Sequence, residues 1–145
     1  MMSMKEKAIS LFHNGYNCAQ SVVCAYAGLY CLDIESSYRV AAGFGLGVGG
    51  VKGICGTVSG MVMVASLHTC NGIMTPNLSR ENTYPIVQNM LEAFRNRNAC
   101  LDCETLLKLK DQAMADGQVA GCDKYVEDCC DIIEEYLKDG PMDIQ

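Results

Sequence analysis

Apolar residues recur along this chain at helical spacing, and polar or glycine positions break the runs. Met4, Ala8, Leu11 and Phe12 fall on one face, and Ser3 with Glu6 three residues on forms a capping box, which predicts a helix from Met4 to Phe12 ended by Gly15. Asn17 then N-caps a second helix, CAQSVVCAYAGLYCL, with Cys18 at its first position. Asp33 or Ser36 starts a third, short helix that ends at Gly43. A fourth is predicted from Ile54 to Thr69, with Cys55 in its first turn and Asn71-Gly72 as its stop. Pro85 suits only a first turn or a kink. A fifth helix is therefore predicted from Tyr84 to Asn96, with Ile86, Met90, Ala93 and Phe94 inward, after a loop or frayed turn TPNLSREN. Asp102 N-caps a short helix through Leu109 that begins at Cys103. DQAMADGQVAG reads as a helical turn and a loop. The last helix is predicted from Asp123 to Leu137, with Cys122 at its start, Tyr125, Val126, Cys129, Ile132, Ile133, Tyr136 and Leu137 on its apolar face, and Gly140-Pro141 as its end.

No window alternates strictly with period two, no repeat is evident and no low-complexity linker divides the chain. The expectation is an all-α fold over residues 1–145, a single compact helical bundle of about six helices with a glycine-rich loop before its central helix.

That loop, AAGFGLGVGGVKGICGTVSG at 41–60, is the densest signal in the chain. Glycine serves where backbone takes positive φ or where something must approach closer than a Cβ allows. The spacing Gly56-x-x-x-Gly60 leaves two bare positions on one helix face, against which another helix or a bound group can sit. Gly45, Gly47, Gly50, Gly53, Gly56 and Gly60 are accordingly candidates for contact with a cofactor. Gly45, Gly47 and Gly50 also fit G-x-G-x-x-G, but without a preceding strand or βαβ unit they do not make a dinucleotide site. No Gly-Lys-Ser or Gly-Lys-Thr occurs, which excludes a P-loop.

A net charge of −6 with no basic stripe argues against nucleic acid and anionic membrane as partners. The amino-terminal residues lack the apolar core of a secretion signal, and the apolar run from Ile54 to Leu67 is too short to span a bilayer, so a cytoplasmic location and no membrane insertion are expected. In a reducing compartment ten cysteines are not a disulfide framework, which directs attention to metal binding or redox chemistry.

Cys18, Cys55, Cys103 and Cys122 each fall at or beside the predicted start of a helix. Partial positive charge and unpaired N–H groups there stabilise a thiolate, the form that attacks disulfides and ligates metals. The competing reading is that free cysteine is a small core hydrophobe. It suits Cys24 and Cys31, seven apart on one helix face, Cys70 near a helix end, and the pair Cys129 and Cys130, of which only Cys129 lies on the apolar face. Cys100 and Cys103 spell C-x-x-C, which offers Cys100 as a resolving thiol or a spare ligand. His13 and His68 are the only histidines; His68 falls in the apolar helix, as a satisfied buried imidazole would. The nine methionines read as core filler.

GYNCAQSV at 15–22, GFGLGVGGVKGICGTVSG at 43–60, CETLL from Cys103 and GCDKYV around Cys122 together resemble the redox-active C-GCAxxG-C-C family, in the same order over nearly the whole chain. The resemblance implies that the four cysteines of the family's name fall on Cys18, Cys55, Cys103 and Cys122. One departure is visible: the family's CGAxxG reads CGTVSG here, with Thr57 for alanine, whose hydroxyl can reach a sulfur or a backbone carbonyl. Three readings follow. In the first, these four cysteines hold an iron–sulfur cluster or another thiophilic metal, and the protein carries electrons to a redox partner protein. In the second they are the catalytic dithiols of a thiol/disulfide oxidoreductase, with Cys18 or Cys55 attacking and no cofactor. In the third they only pack. A homodimer is a further expectation if the bare glycine face meets a second copy.

Overall fold

The computed structural model describes residues 1–70, 72–115 and 122–138. Among them are seven helices longer than four residues and no strand. They are α1 (Met4–His13), α2 (Cys18–Tyr26), α3 (Ile34–Ala41), α4 (Gly56–Thr69), α5 (Pro76–Asn98), α6 (Cys103–Ala115) and α7 (Cys122–Tyr136). The fold is all-α, and no described helix is long and apolar enough to cross a membrane.

The helix starts are where the caps put them. Ser3 and Glu6 close a capping box on α1, and Asn17 and Gln20 close one on α2. Asp33 Oδ1 accepts from the Ser36 N–H at the start of α3, and Asp102 Oδ2 from the Thr105 N–H at the start of α6. Gly15 takes φ +98 and turns the chain after α1.

Four expectations are corrected. The second helix stops at Tyr26 and gives way to a 3₁₀ turn over Ala27–Tyr30, after which Cys31 takes a left-handed φ of 57°. Cys24 and Cys31 therefore share no helix face; Cys24 is buried and Cys31 exposed. Ile54 precedes the fourth helix, bridges to Asp102 and leaves Cys55 as the N-cap of α4. α5 starts eight residues earlier than predicted because Pro76, not Pro85, occupies its first position, where a missing N–H costs nothing; Pro85 sits inside the helix. On α7, Cys130 is fully buried beside Cys129 whereas Tyr136 is exposed, because the helix packs against α1 on one side and α4 and α5 on the other. The helical turn at 111–115 continues α6. Asn71, the loop expected at 116–121 and the Gly140-Pro141 stop lie outside the described residues.

α2 and α4 form the centre of the domain. Val22, Tyr26, Val58, Met61 and Val64 are almost fully buried there, with Met90 and Phe94 of α5 and Val126, Ile132 and Ile133 of α7 packed around them. Burial of each such side chain stabilises the fold by about 1.5–3 kcal/mol. The Gly56-x-x-x-Gly60 face meets α2 of the same chain. A Cβ at Gly60 would lie 2.9 Å from the Ala19 carbonyl oxygen, and one at Gly56 would lie 3.0 Å from Cys18 Cβ. The surface that suggested a second copy is thus occupied from within, and the close approach brings the first residues of α2 and α4 together.

Candidate functional site

Cys18, Cys55, Cys103 and Cys122 line one enclosed cavity of about 30 Å³, together with Leu46, Gly56, Thr57, Leu106, Leu107 and Tyr125. Cys18, Cys103 and Cys122 are the first residues of α2, α6 and α7, and Cys55 caps α4. Four segments far apart in the chain therefore direct sulfurs and helix N-termini to one place.

Two devices hold the ends in register. The first is the glycine contact between α2 and α4. The second is an antiparallel bridge at Ile54 and Asp102, in which the Cys55 N–H donates to the Leu101 carbonyl at 2.8 Å and the Cys103 N–H to the Gly53 carbonyl at 2.6 Å. The glycine loop extends this bridge, because the Gly53 N–H donates to the Gly47 carbonyl at 2.8 Å. Gly47 has φ +67, and a Cβ there would lie 2.6 Å from the Gly53 nitrogen and 2.7 Å from Cys103 Cβ. Close backbone approach explains this residue, and the same holds for Gly45, whose Cβ would meet the Asn17 side chain at 2.7 Å. The expected cofactor contacts are thus filled by the chain itself at Gly45, Gly47, Gly56 and Gly60. Gly50 faces the Leu46 side chain and Gly53 the Gly47 carbonyl.

The four thiols divide into an outer and an inner pair. Cys18 and Cys122 are the partly exposed two. The Cys18 thiol is held well above the ordinary range by its interaction with the Cys122 sulfur and by burial. The interaction with Cys18 pulls Cys122 down to about 6, burial opposes it, and the Lys110 ammonium assists. Cys55 and Cys103 are 6% and 7% exposed. Burial pushes both thiols up; at Cys103 the neighbouring Cys55 and Cys122 sulfurs add to the rise.

Thr57, the departure from the family's alanine, has its hydroxyl 3.0 Å from Cys55 Sγ. The hydroxyl serves sulfur, the first of the two roles open to it from the sequence. Cys129 and Cys130 are fully buried, and the nearby Tyr26 hydroxyl donates to Glu134 at 2.9 Å. Cys100 does not line the cavity. Cys70, exposed at the end of α4, is hydrogen-bonded to Ser79. His68 is buried and paired with the Tyr30 hydroxyl at 3.0 Å, as a satisfied imidazole is.

Leu46, Leu106, Leu107 and Tyr125 are cavity residues that the sequence did not single out. Leu106, Leu107 and Tyr125 follow Cys103 or Cys122 by three or four positions, so helical spacing counted from each helix-start cysteine is the signal that finds them. Leu46 gives no such signal, because the loop's left-handed backbone aims it.

Four thiols are suitable donors for a soft metal. Their placement does not match that chemistry: among the described residues, no group of three or more His, Cys, Asp and Glu side chains is positioned to hold one metal ion. The residues as placed do not fit an iron–sulfur cluster.

Residues 16–136 match the model of the family described as "Putative redox-active protein (C_GCAxxG_C_C)". No curated protein and no solved structure matches the chain.

Proposed function

The chain belongs to this C_GCAxxG_C_C family of redox-active proteins, and from that premise we propose that it is a thiol/disulfide oxidoreductase whose attacking sulfur is Cys122 and whose resolving sulfur is Cys18. One observation carries the reading: Cys18 and Cys122, each the first residue of a helix, are the two partly exposed members of four cysteines that line one cavity.

The roles follow from the two environments. Thiol exchange needs an accessible thiolate, and Cys122 is held ionised near neutrality where Cys18 and Cys55 are pushed up. The attacking role therefore goes to Cys122 in place of Cys18 or Cys55. Cys122 attacks a substrate disulfide, forming a mixed disulfide and releasing one substrate thiolate. Cys18, at the same cavity, gives up its proton and attacks the Cys122 sulfur. A Cys18–Cys122 disulfide forms, the second substrate thiol leaves, and two electrons have passed from protein to substrate. An external dithiol, small or carried on a partner protein, restores the reduced state.

Trapping the intermediate tests this. With a small aromatic disulfide and a dithiol reductant, wild type turns over, Cys122→Ser does not, and Cys18→Ser accumulates the mixed disulfide on Cys122, seen by mass spectrometry. Turnover by Cys122→Ser, or stoichiometric iron and acid-labile sulfide in anaerobically purified protein, overturns the reading.

A further inference from the structure

The outer pair and the inner pair face the same cavity, yet only the outer one is open to large reactants. Cys18 and Cys122 are partly exposed, whereas Cys55 and Cys103 are buried, and Leu46 lines the cavity beside all four. Leu46 is held there against its own preference. It takes φ 50° and ψ 45°, and its carbonyl accepts the Lys52 N–H at 3.2 Å. Val48 and Lys52 also have positive φ, of 68° and 61°. Left-handed backbone is unfavourable for a residue that carries a Cβ. Three of them in one short loop place a half-exposed leucine side chain against the bare Gly50 on one side and the cavity on the other.

From the two pairs meeting at one cavity, the outer one partly exposed and the inner one buried, we infer that Cys55 and Cys103 are an internal dithiol that re-reduces the outer disulfide, so the protein delivers four electrons before it needs its reductant. This inference rests on the proposed outer-pair chemistry and extends it. The exchange balances within the chain. A Cys55 thiolate, hydrogen-bonded by Thr57, attacks the Cys122 sulfur of the Cys18–Cys122 disulfide; that bond breaks, a Cys55–Cys122 bond forms, and the Cys18 sulfur takes up a proton. Cys103 then loses its proton and attacks the Cys55 sulfur. The Cys55–Cys103 disulfide forms, Cys122 leaves as the thiolate, and the outer pair is ready for a second substrate disulfide.

The test uses a polyethylene glycol chain ending in a pyridyl disulfide, too bulky to enter the cavity, on reduced protein in a Cys31→Ser/Cys70→Ser background that removes the exposed thiols. Peptide mapping should find the Cys18–Cys122 linkage first and Cys55–Cys103 after it, with two disulfides per chain at the end. Adding Cys18→Ser and Cys122→Ser should slow formation of the inner linkage at least about tenfold, and adding Leu46→Gly to that variant should restore it by direct access. If the inner linkage forms at an unchanged rate without the outer pair, or never forms in wild type after the outer one has, the relay is overturned while the outer chemistry stands. Absence of the outer linkage itself removes the proposed function. The order of appearance in the otherwise native chain does not depend on the multiple variants folding.

Discussion

Cys18, the first residue of α2, and Cys122, the first residue of α7, line one cavity, where Cys18 favours charge on the Cys122 sulfur. Cys18→Ala removes that neighbour and should raise the titration midpoint of Cys122 from about 6 towards that of an ordinary thiol. Cys122 alkylation at pH 7 should then slow by roughly tenfold or more, because each unit of midpoint is about tenfold in thiolate. Mass spectrometry of iodoacetamide-treated protein across pH 5–9 reads this directly.

The lowered Cys122 thiol makes stability depend on pH. The folded state holds the Cys122 thiol below its unfolded value, so the native protein binds fewer protons there than the unfolded chain does. The resulting stabilisation is present in full above the unfolded midpoint and is lost as pH falls through about 6. Denaturant melts of wild type and Cys122→Ser should converge as pH is lowered from 9 to 5 and diverge as it is raised.

At Gly47 the loop has no room for a side chain. Gly47→Ala would press a methyl group within 2.7 Å of Cys103 Cβ at a residue whose φ is +67. A loss of about 1–3 kcal/mol is expected from overpacking, with backbone strain of similar size added. The thermal midpoint should fall, and Cys103 should become faster to alkylate because the bridge that holds it shifts.

Thr57→Val keeps the shape of the side chain and removes the hydroxyl beside Cys55. The expected cost is about 1 kcal/mol, that of one intramolecular hydrogen bond, measured by urea unfolding. Thr57→Ser should recover most of it.

Much of this arrangement is written locally. Asn17, Asp33 and Asp102 cap helices through side-chain bonds of one turn's length, so the starts of α2, α3 and α6 are readable from neighbouring residues alone, and with them the positions of Cys18 and Cys103. The pairing of thiols is not local. Nothing near Cys18 in the chain indicates that Cys122 will face the same cavity, because that juxtaposition depends on how α2 and α7 pack around α4. The errors have the same origin. Pro85 misled because one proline inside a helix is tolerated when the surrounding turns are packed, as Met90 and Phe94 are. The glycines were legible as a demand for close approach, but the approaching group, α2 and the 52–53 backbone, was visible only once the chain was folded.

The central claim is that Cys18 and Cys122 form the working dithiol. The most direct measurement is peptide mapping of the protein equilibrated anaerobically in glutathione buffers of graded potential. A Cys18–Cys122 linkage that appears reversibly over a defined range, with the protein still folded, is the result expected here. If all four cavity thiols stay reduced across the series, or if Cys122 pairs only with glutathione while Cys18 stays free, the account is contradicted.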